Sequence, residues 1–301
     1  MELEGRVAVV TGAAIGIGLG LANRAARRRM KVVLADVEEA ALRDAESRLA
    51  ERGATALAVR TDVSVADEVE ALAAAAFDAF GRVDLLCNNA GVNLTIARPV
   101  WEFSQGDFEW VIGVNLWGVI HGLRAFLPRM MRQPTESHIL NTASSASLMS
   151  GPGLGIYKLT KHAVLSLSET AFHDLRGANA RVGVSVFCPG LVRTGIRDAM
   201  RNRPAPLRDE RPRSAEQEAV EKTLRESPAM SASEAGEIAL AGVESGRLYI
   251  FTDPASVEPA RQRLRDIQSG VPGIQSSTFS GPGKAVAPPK PSDEPEGEAK
   301  S

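Results

Sequence analysis

The chain has 301 residues, of which 44% are hydrophobic and 24% charged, a globular composition long enough for one large α/β domain or two small ones. Its formal net charge of -2 excludes the global positive field that attracts nucleic acid or an anionic membrane, so we expect a small-molecule partner. No basic segment followed by an apolar one opens the chain, and the apolar runs fall far short of the roughly 20 residues that cross a bilayer. We therefore expect a cytoplasmic protein with no membrane partner.

Short β-branched runs alternate with helical patterns along most of the chain. The strand patterns are RVAVV, KVVLA, TALAV, VDLLC, HILNT, RVGVSVFC and RLYIF, and helical patterns cover positions 19–29, 38–52, 66–80, 111–132 and 156–176. Strands separated by helices indicate βαβ units and a parallel sheet. The pattern predicts one α/β domain over residues 1–269, a doubly wound Rossmann fold of about seven strands in the order 3-2-1-4-5-6-7.

Two segments depart from this alternation. Residues 190–231 are polar, contain several prolines and show no strand period, so we expect a mobile loop over the substrate. Residues 270–301 are rich in proline, glycine and charge and lack the apolar surface needed for folding, so we expect a disordered tail.

The cysteines and histidines give no sign of a disulfide framework or a metal site. Cys87 and Cys188 each end an apolar run that resembles a separate buried strand, so we expect both thiols to stay reduced. The four histidines are scattered and lack metal-ligand spacing, and we predict no metal.

A glycine-rich turn follows the first strand pattern in VVTGAAIGIGLG. Thr11, Gly12, Gly16, Ile17 and Gly18 lie between that strand and the first helix. Glycine lets the backbone approach a pyrophosphate, and a helix N-terminus offers free N–H groups and a favourable dipole. The alternative is that these glycines serve only tight packing of helix against strand.

Asp36 ends the second strand pattern and favours the functional interpretation of the turn. A carboxylate there accepts hydrogen bonds from an adenosine ribose and repels a 2′-phosphate. Neither Val37 nor residues 13–15 of the turn supply a cation, so the pattern predicts NAD in preference to NADP. The alternative for Asp36 is a helix N-cap or turn residue.

Several ordered motifs resemble the short-chain dehydrogenase/reductase family across roughly residues 4 to 250. They are TGAAIGIG, Asp62-Val63, NNAG at 88–91, Asn115, Ser144, Tyr157-x-x-x-Lys161 and PGLVRT at 189–194. The resemblance implies that Asp62 and Val63 contact adenine, that Asn89 packs under the cofactor, and that Val192 and Thr194 hold the nicotinamide carboxamide. The alternative for NNAG is a structural role at the fourth strand turn.

Tyr157 and Lys161 stand four residues apart, which puts them on one helix face. A lysine and a positively charged nicotinamide lower the pKa of a phenol, as an acid or base at neutral pH requires. Ser144 would polarise the substrate oxygen; Ser145 is the rival, and the family offset of thirteen residues before the tyrosine favours Ser144. The resemblance implies that Asn115 holds a water that links Lys161 to solvent; the alternative is a buried polar residue that bonds or kinks its own helix.

Together these residues predict an NAD-dependent oxidoreductase that transfers a hydride between nicotinamide and a secondary alcohol or ketone. The alternative is a catalytically idle NAD-binding redox sensor or scaffold. Residues 107–131 and 237–267 resemble the family branch that contains Cα-dehydrogenases of lignin-derived aryl ethers, which implies a benzylic alcohol. Alicyclic or terpenoid alcohols stay open, and the resemblance also implies a homo-oligomer.

Overall fold

The computed structural model describes residues 1–94, 98–208, 218–219, 222–223 and 226–270. Seven strands form one sheet in which every neighbouring pair is parallel. They are β1 (Val7–Thr11), β2 (Lys31–Asp36), β3 (Ala56–Arg60), β4 (Leu85–Asn88), β5 (Ser137–Thr142), β6 (Val182–Cys188) and β7 (Tyr249–Phe251). Their spatial order, β3-β2-β1-β4-β5-β6-β7, confirms the predicted doubly wound sheet.

Helices cover both faces of the sheet. They are α1 (Gly16–Arg27), α2 (Glu39–Ala50), α3 (Ala66–Phe80), α4 (Gln105–Ile112), α5 (Gly118–Met131), α6 (Gly155–Gly177), α7 (Ala232–Glu244) and α8 (Glu258–Ser269). Leu21, Leu42 and Leu240 bring α1, α2 and α7 into one buried cluster. Leu72 and Phe126 bring α3 and α5 into a second cluster on the opposite face. Because both faces are covered, the central strands are buried on both sides, as β1 is over its whole length.

The strand order reverses between β1 and β4. The chain moves outward from β1 to β3 on one side, returns to β4 on the other, and then continues outward to β7. In a doubly wound sheet the crevice for a ligand opens at this reversal, outside the carboxyl ends of the strands. The fold alone therefore directs attention to the segments that follow β1 and β4.

Helices α4 and α5 form one helical stretch interrupted by a π-helical turn, Gly113–Trp117. The stretch begins at Gln105, earlier than the predicted start near position 111, because Ser104 and Asp107 form a capping box. By length and composition alone, Gln105–Met131 meets the criterion for crossing a bilayer, which the sequence analysis did not anticipate. Buried residues along it pack against the sheet, as in the core helix of a globular domain.

The predicted substrate loop has defined structure in its described part. Residues Gly195–Asn202 and Ala205–Leu207 form 3-10 turns, and the predicted loop ends where α7 begins at a second capping box between Ser231 and Glu234. Val192 pairs with Met230 in an isolated parallel bridge that closes the base of the loop. Residues 209–217 of the loop lie outside the described residues.

Cys87 and Cys188 are buried and unpaired, on β4 and β6 with β5 between them. Within the described ranges, no group of three His, Cys, Asp or Glu side chains is placed to hold a metal ion. Helix α8 continues the chain to Ser269, and the tail predicted at 270–301 lies outside the described residues apart from Gly270.

Candidate active site

A cleft opens at the carboxyl edge of the sheet, where the strand order reverses. Its empty volume is about 1160 Å³, including space open to solvent. The lining comes from the turns after β1, β2, β3 and β4, from the end of β5, and from α4, the π-helical turn, α6 and the loop after β6. The cleft therefore lies where a doubly wound sheet binds its ligand.

The glycine-rich turn forms the floor of the cleft and depends on its glycines. Gly12 and Gly16 have φ angles of +66° and +59°, which favour glycine. A Cβ on Gly12 would lie 2.8 Å from the Cα of Ala90. A Cβ on Gly18 would lie 2.7 Å from Asn89 Nδ2 and would also collide with the carbonyl of Gly12. The turn therefore combines close packing with a backbone that is open to a ligand.

Helix α1 begins at Gly16 with no side chain capping its first N–H groups. Uncapped N–H groups and the positive end of the helix dipole suit a phosphate group. Ile17 lies in the first turn of this helix and lines the cleft with Gly12 and Gly16. These features fit the diphosphate of a dinucleotide.

Asp36 lies at the end of β2, where its carboxylate ties two backbone segments together. Oδ2 accepts a hydrogen bond from the N–H of Ala14 at 3.0 Å, and Oδ1 accepts one from the N–H of Glu38 at 3.1 Å. Burial raises the pKa of Asp36, while the two N–H donors lower it. Asp36 thus supports the glycine-rich turn and also lines the cleft.

Asp62 and Val63 follow β3 and line the same end of the cleft. Asp62 Oδ1 accepts hydrogen bonds from the N–H of Ser64 at 2.9 Å and from its hydroxyl at 2.7 Å. Val63 is buried, and a Cβ on Gly118 would lie 2.8 Å from Val63 Cγ2. Helix α5 therefore packs closely beneath this turn.

Asn89 fastens the end of β4 to its neighbours. Its Nδ2 donates to the carbonyl of Thr11 at 3.0 Å, and its Oδ1 accepts from the hydroxyl of Thr142 at 3.3 Å. The Thr11 hydroxyl in turn accepts from the Asn89 N–H at 2.9 Å. The structural role considered for NNAG is thus visible, and Asn89 also lines the cleft.

Ser144, Tyr157 and Lys161 come together beyond the end of β5. Ser144 lies just after the strand and Tyr157 lies in the first turn of α6, and the Ser144 hydroxyl is close enough to Tyr157 to favour the phenolate. Lys161 Nζ lies 5.7 Å from the centroid of the Tyr157 ring and donates to the carbonyl of Thr142 at 2.9 Å. Ser145, the rival serine, turns its backbone N–H to the carbonyl of Pro189 at 2.8 Å.

Burial sets the protonation of this group before any ligand binds. It raises the pKa of Tyr157, and the Ser144 hydroxyl opposes that rise. It lowers the pKa of Lys161 to about 8. At pH 7 the phenol is therefore neutral and the ammonium is mostly charged.

Asn115 lies in the π-helical turn between α4 and α5 and is fully buried. Its Oδ1 accepts from the N–H of Val92 at 2.7 Å, and its Nδ2 donates to the Val92 carbonyl at 3.0 Å and to Thr160 Oγ1 at 3.2 Å. A Cβ on Gly91 would lie 3.4 Å from Asn115 Oδ1 and 3.5 Å from Lys161 Nζ. Gly91 thus leaves space beside both polar atoms.

Val192 and Thr194 open the loop after β6. Val192 forms the bridge to Met230, and Thr194 lies against the glycine-rich turn, because a Cβ on Gly16 would be 3.1 Å from Thr194 Cβ. Thr194 lines the cleft and accepts from the N–H of Ile196 at 3.4 Å. Thr194 therefore lies where the loop meets the floor, whereas Val192 is not among the residues that line the cleft.

The structure adds lining residues that sequence reasoning missed. Glu38, Arg201 and Asn202 join the rim beside Asp36, and Trp110 contributes an aromatic wall. A buried ion pair between Arg203 and Asp107 lies behind that wall, with the guanidinium 5.5 Å from the Trp110 ring centroid. A charged residue inside a loop gives no sequence signal for its partner, so these contacts needed coordinates.

A doubly wound sheet with a glycine-rich phosphate turn and a serine, tyrosine and lysine at its carboxyl edge defines the class of dinucleotide-dependent oxidoreductases. Residues 6–205 match the family model described as short chain dehydrogenase. The chain belongs to the short-chain dehydrogenase family.

Relatives and solved structures agree with this membership. The 1-deoxy-11-beta-hydroxypentalenate dehydrogenase of Streptomyces exfoliatus is 37% identical over 266 residues, covering 88% of each chain. The C alpha-dehydrogenase of Sphingobium sp. is 31% identical over 283 residues, covering 91% of this chain and 89% of the relative. A short chain dehydrogenase/reductase from Burkholderia phymatum, solved in complex with NAD, is 44% identical with a TM-score of 0.88, covering 92% of this chain and 99% of that one.

Proposed function

We propose that this protein is an NAD-dependent oxidoreductase that transfers a hydride between nicotinamide and a secondary alcohol or ketone. The observation that carries the proposal is that Tyr157 and Lys161 line the cleft that begins at Gly12 and Gly16, with Ser144 beside Tyr157. Family membership and the NAD complex of the Burkholderia phymatum neighbour support this cofactor. When bound, the nicotinamide ring supplies the hydride acceptor for alcohol oxidation or the hydride donor for ketone reduction.

Tyr157 is the proposed acid and base. In oxidation, the hydroxyl proton of the alcohol passes to the Tyr157 phenolate as hydride leaves the carbinol carbon, and a carbonyl remains. In reduction, Tyr157 returns that proton to the carbonyl oxygen. Ser144 donates a hydrogen bond to the same oxygen and stabilises the negative charge that develops there.

The charges around Tyr157 decide when it can act as a base. A phenol has an ordinary pKa near 10, and burial raises that of Tyr157, so activity near neutral pH needs a lowering of more than about 3 units, or about 4 kcal/mol. The Lys161 ammonium and the positive charge of oxidised nicotinamide both stabilise the phenolate. Their attraction is stronger here than in open water because Lys161 is buried. Tyr157 is thus a base only in the complex with oxidised cofactor.

A proton route out of the site is part of the proposal. The space beside Gly91 adjoins both Asn115 Oδ1 and Lys161 Nζ, and one water there would bond to both atoms. Val92 already occupies one lone pair of Asn115 Oδ1, which leaves a second for that water. The hydrogen bonds to Val92 hold the carboxamide of Asn115 in place for this purpose.

The rim of the cleft supports a preference for NAD over NADP. In this proposal the Asp36 carboxylate accepts hydrogen bonds from the ribose and repels a 2′-phosphate, and Asp62 and Val63, which line the same end of the cleft, contact the adenine. Arg201 is a cation on this rim, but its guanidinium is ion-paired with Glu38. The charges facing the 2′ position are therefore dominated by carboxylates.

The substrate end of the cleft favours a bulky apolar alcohol. Val92, Trp110, Val114, Ile196 and Ala199 form its walls. The pentalenate and C alpha-dehydrogenase relatives support a ring-bearing secondary alcohol, whether aromatic, alicyclic or terpenoid. Such an alcohol buries its ring against Trp110 and directs its hydroxyl to Ser144 and Tyr157.

A substrate panel tests the proposed function. Aromatic, alicyclic, terpenoid and short-chain secondary alcohols are mixed with enzyme and NAD, and NADH is followed by absorbance, with NADP in parallel. We expect turnover with a bulky alcohol and NAD. A folded protein that binds NADH but turns over no alcohol or ketone would instead be the redox sensor or scaffold. The homo-oligomer and the cytoplasmic location stay predictions, the first of which light scattering tests.

A further inference from the structure

The segment after β6 crosses the cofactor cleft instead of covering the substrate end alone. It begins on the glycine-rich turn, where Thr194 packs on Gly16 and a Cβ on Gly195 would lie 2.5 Å from Ile15 Cδ1. The 3-10 turn Gly195–Asn202 then carries the chain to the rim at the end of β2. We call residues 194–204 the strap.

The far end of the strap is fastened to Glu38, two residues beyond Asp36. Arg201 Nε donates to Glu38 Oε2 at 3.2 Å and its Nη2 to Oε1, while Asn202 Nδ2 donates to the same Oε1 at 2.9 Å. Arg201 Nη1 also donates to the carbonyl of Gly195 at 3.2 Å, which holds the guanidinium along the strap. The bond from Arg201 lowers the pKa of Glu38, so this carboxylate is charged at neutral pH.

A second ion pair fixes the strap to the opposite wall. Arg203 Nη1 lies 2.7 Å from Asp107 Oδ1 on α4, and its guanidinium packs on Trp110. Arg201 and Arg203 are two residues apart, yet they bind carboxylates on opposite sides of the cleft. The strap therefore bridges the cleft from α4 to the turn after β2.

The two ion pairs differ in burial and hence in how readily they open. The side chains of Arg203 and Asp107 are 1% and 3% exposed, and breaking a buried pair leaves an unpaired charge, which is strongly unfavourable. The side chains of Arg201 and Glu38 are 36% and 25% exposed, in the range where ion pairs add little to stability. We therefore expect the Arg203 end to stay anchored and the Arg201 end to open more readily.

We propose that Glu38, Arg201 and Asn202 form a latch that governs the exchange of NAD. A dinucleotide that lies on Gly12 and Gly16 and reaches Asp36 passes beneath the strap, so the latch must open for it to enter and again for it to leave. The inference rests on the proposed binding of NAD, and it makes Glu38 and Arg201 determinants of cofactor kinetics. In this proposal the latch closes equally in the free and the loaded protein, so it slows both directions without changing the equilibrium.

The test is stopped-flow NADH fluorescence, with binding to the unliganded protein and displacement of bound NADH by excess NAD. In Glu38→Gln and in Arg201→Met, we expect association and dissociation rates to rise together by about threefold to tenfold, with Kd changed by less than about twofold. Arg201→Lys keeps a charge that reaches Glu38 and restores part of the slow exchange. The double variant exchanges no faster than either single variant, because each removes the same contact.

The matched control is Glu39→Gln, which removes a carboxylate from the adjacent residue without touching the strap. Its rates should equal those of the wild type, and thermal melts without cofactor establish that every variant is folded. Unchanged rates in Glu38→Gln and Arg201→Met would overturn the latch. A rise in dissociation alone, with Kd weakened by the same factor, would also overturn it, because Glu38 would then hold the cofactor directly. If the wild-type protein bound no NADH, both the proposed function and the proposed latch would be wrong.

Discussion

Lys161 Nζ donates a hydrogen bond to the carbonyl of Thr142 at 2.9 Å, which anchors the ammonium on the end of β5. Its side chain is almost completely buried beside Tyr157, and burial lowers its pKa to about 8, from an ordinary value of 10.5. Burying this ammonium, which we propose assists Tyr157, therefore lowers the stability of the folded protein.

Because of this cost, the contribution of Lys161 to the free energy of unfolding depends on pH. Between pH 8 and 10.5 the unfolded chain holds a proton on this lysine that the folded chain has released, so folding becomes more favourable as pH rises. Below pH 8 both states hold the proton and the penalty stays constant. We expect the wild type to gain about 2 kcal/mol in unfolding free energy over Lys161→Met from pH 7.5 to pH 10. Urea melts of both proteins at the two pH values measure the difference, and parallel changes would contradict the lowered pKa.

The two tyrosines of the chain offer a matched pair of variants. Tyr157→Phe removes only the proposed proton-transferring oxygen, so we expect kcat to fall by at least about 100-fold while NADH binding stays close to that of the wild type. In Tyr249→Phe the lost hydroxyl is on β7 and donates to Glu169 at 2.7 Å, so turnover should persist. Single-turnover kinetics and an NADH titration separate chemistry from binding. A Tyr157→Phe enzyme with a tenth of wild-type kcat, when chemistry is rate-limiting, would refute the assignment.

Replacement of Asp36 tests cofactor preference. Asp36→Ser removes the acceptor for the ribose and the repulsion of a 2′-phosphate, so NAD affinity should fall by one to two decades, for a lost charged hydrogen bond of about 1.5–3 kcal/mol. Affinity for NADP should fall less or rise. The N–H groups of Ala14 and Glu38 also lose their acceptor, so we expect a lower melting temperature. Asp44→Ser, which removes an exposed carboxylate on α2, is the control, and a wild type that prefers NADPH would contradict this interpretation.

Two helical glycines should respond to alanine in opposite directions. A Cβ on Gly18 would collide with the backbone of Gly12, so Gly18→Ala should lower stability and weaken NADH binding. Gly177 has no atom near the position of a Cβ, and Gly177→Ala should add up to about 1 kcal/mol from helix propensity. Thermal melts and NADH titrations of both variants make the comparison. If Gly18→Ala and Gly177→Ala changed melting temperature and NADH affinity equally, the glycine-rich turn would have to relax around the methyl group added at Gly18, and the proposed need for glycine there would be wrong.

Gly91→Ala tests the proposed proton route. The new methyl group meets Asn115 Oδ1 and Lys161 Nζ at van der Waals distance, so the fold should tolerate it while the space for a water is filled. We expect kcat to fall several-fold and the pH dependence of alcohol oxidation to shift, with the melting temperature nearly unchanged. Gly113→Ala, whose Cβ would lie 3.5 Å from Ser64 Cβ, is the control. An unchanged pH profile in Gly91→Ala would remove the water from the mechanism.

The sequence predicts the sheet well because its signals are local. Each strand is a short apolar run, each crossover carries a helical period, and the order of a doubly wound sheet follows from the family motifs, as the observed order confirms. The glycine-rich turn was equally predictable, because its glycines are visible in the sequence. The structure explains why Gly12 is needed there: a Cβ at this position would collide with the backbone of Ala90. The starts of α4 and α7 were not predicted from periodicity; capping boxes at Ser104 and Ser231 set them in the structure.

The contacts that close the cleft were not accessible from local patterns. Glu38 and Arg201 are 163 positions apart, and the intervening strands and helices decide whether they meet. The protonation state of Tyr157 in the ligand-free protein could not be predicted either. The sequence shows the nearby lysine but not the burial that raises the pKa of the phenol. The π-helical turn at Asn115 was not predicted either, because its wider i→i+5 hydrogen bonding leaves the helical period of the sequence almost unchanged.

The bridge between Val192 and Met230 brings the two ends of the substrate loop together. The N–H of Arg193 donates to the Met230 carbonyl at 2.8 Å, and the N–H of Met230 donates to the Leu191 carbonyl at 3.0 Å, so the chain leaves and re-enters the domain at one point. Because the entropy of closing a loop rises only slowly with its length, sequence between these residues can lengthen or shorten at small cost to folding. The segment can therefore be exchanged as one unit: grafting it from a relative at this junction should transfer alcohol selectivity, and it also replaces the strap and its contacts to the glycine-rich turn, while Tyr157 keeps its place on α6.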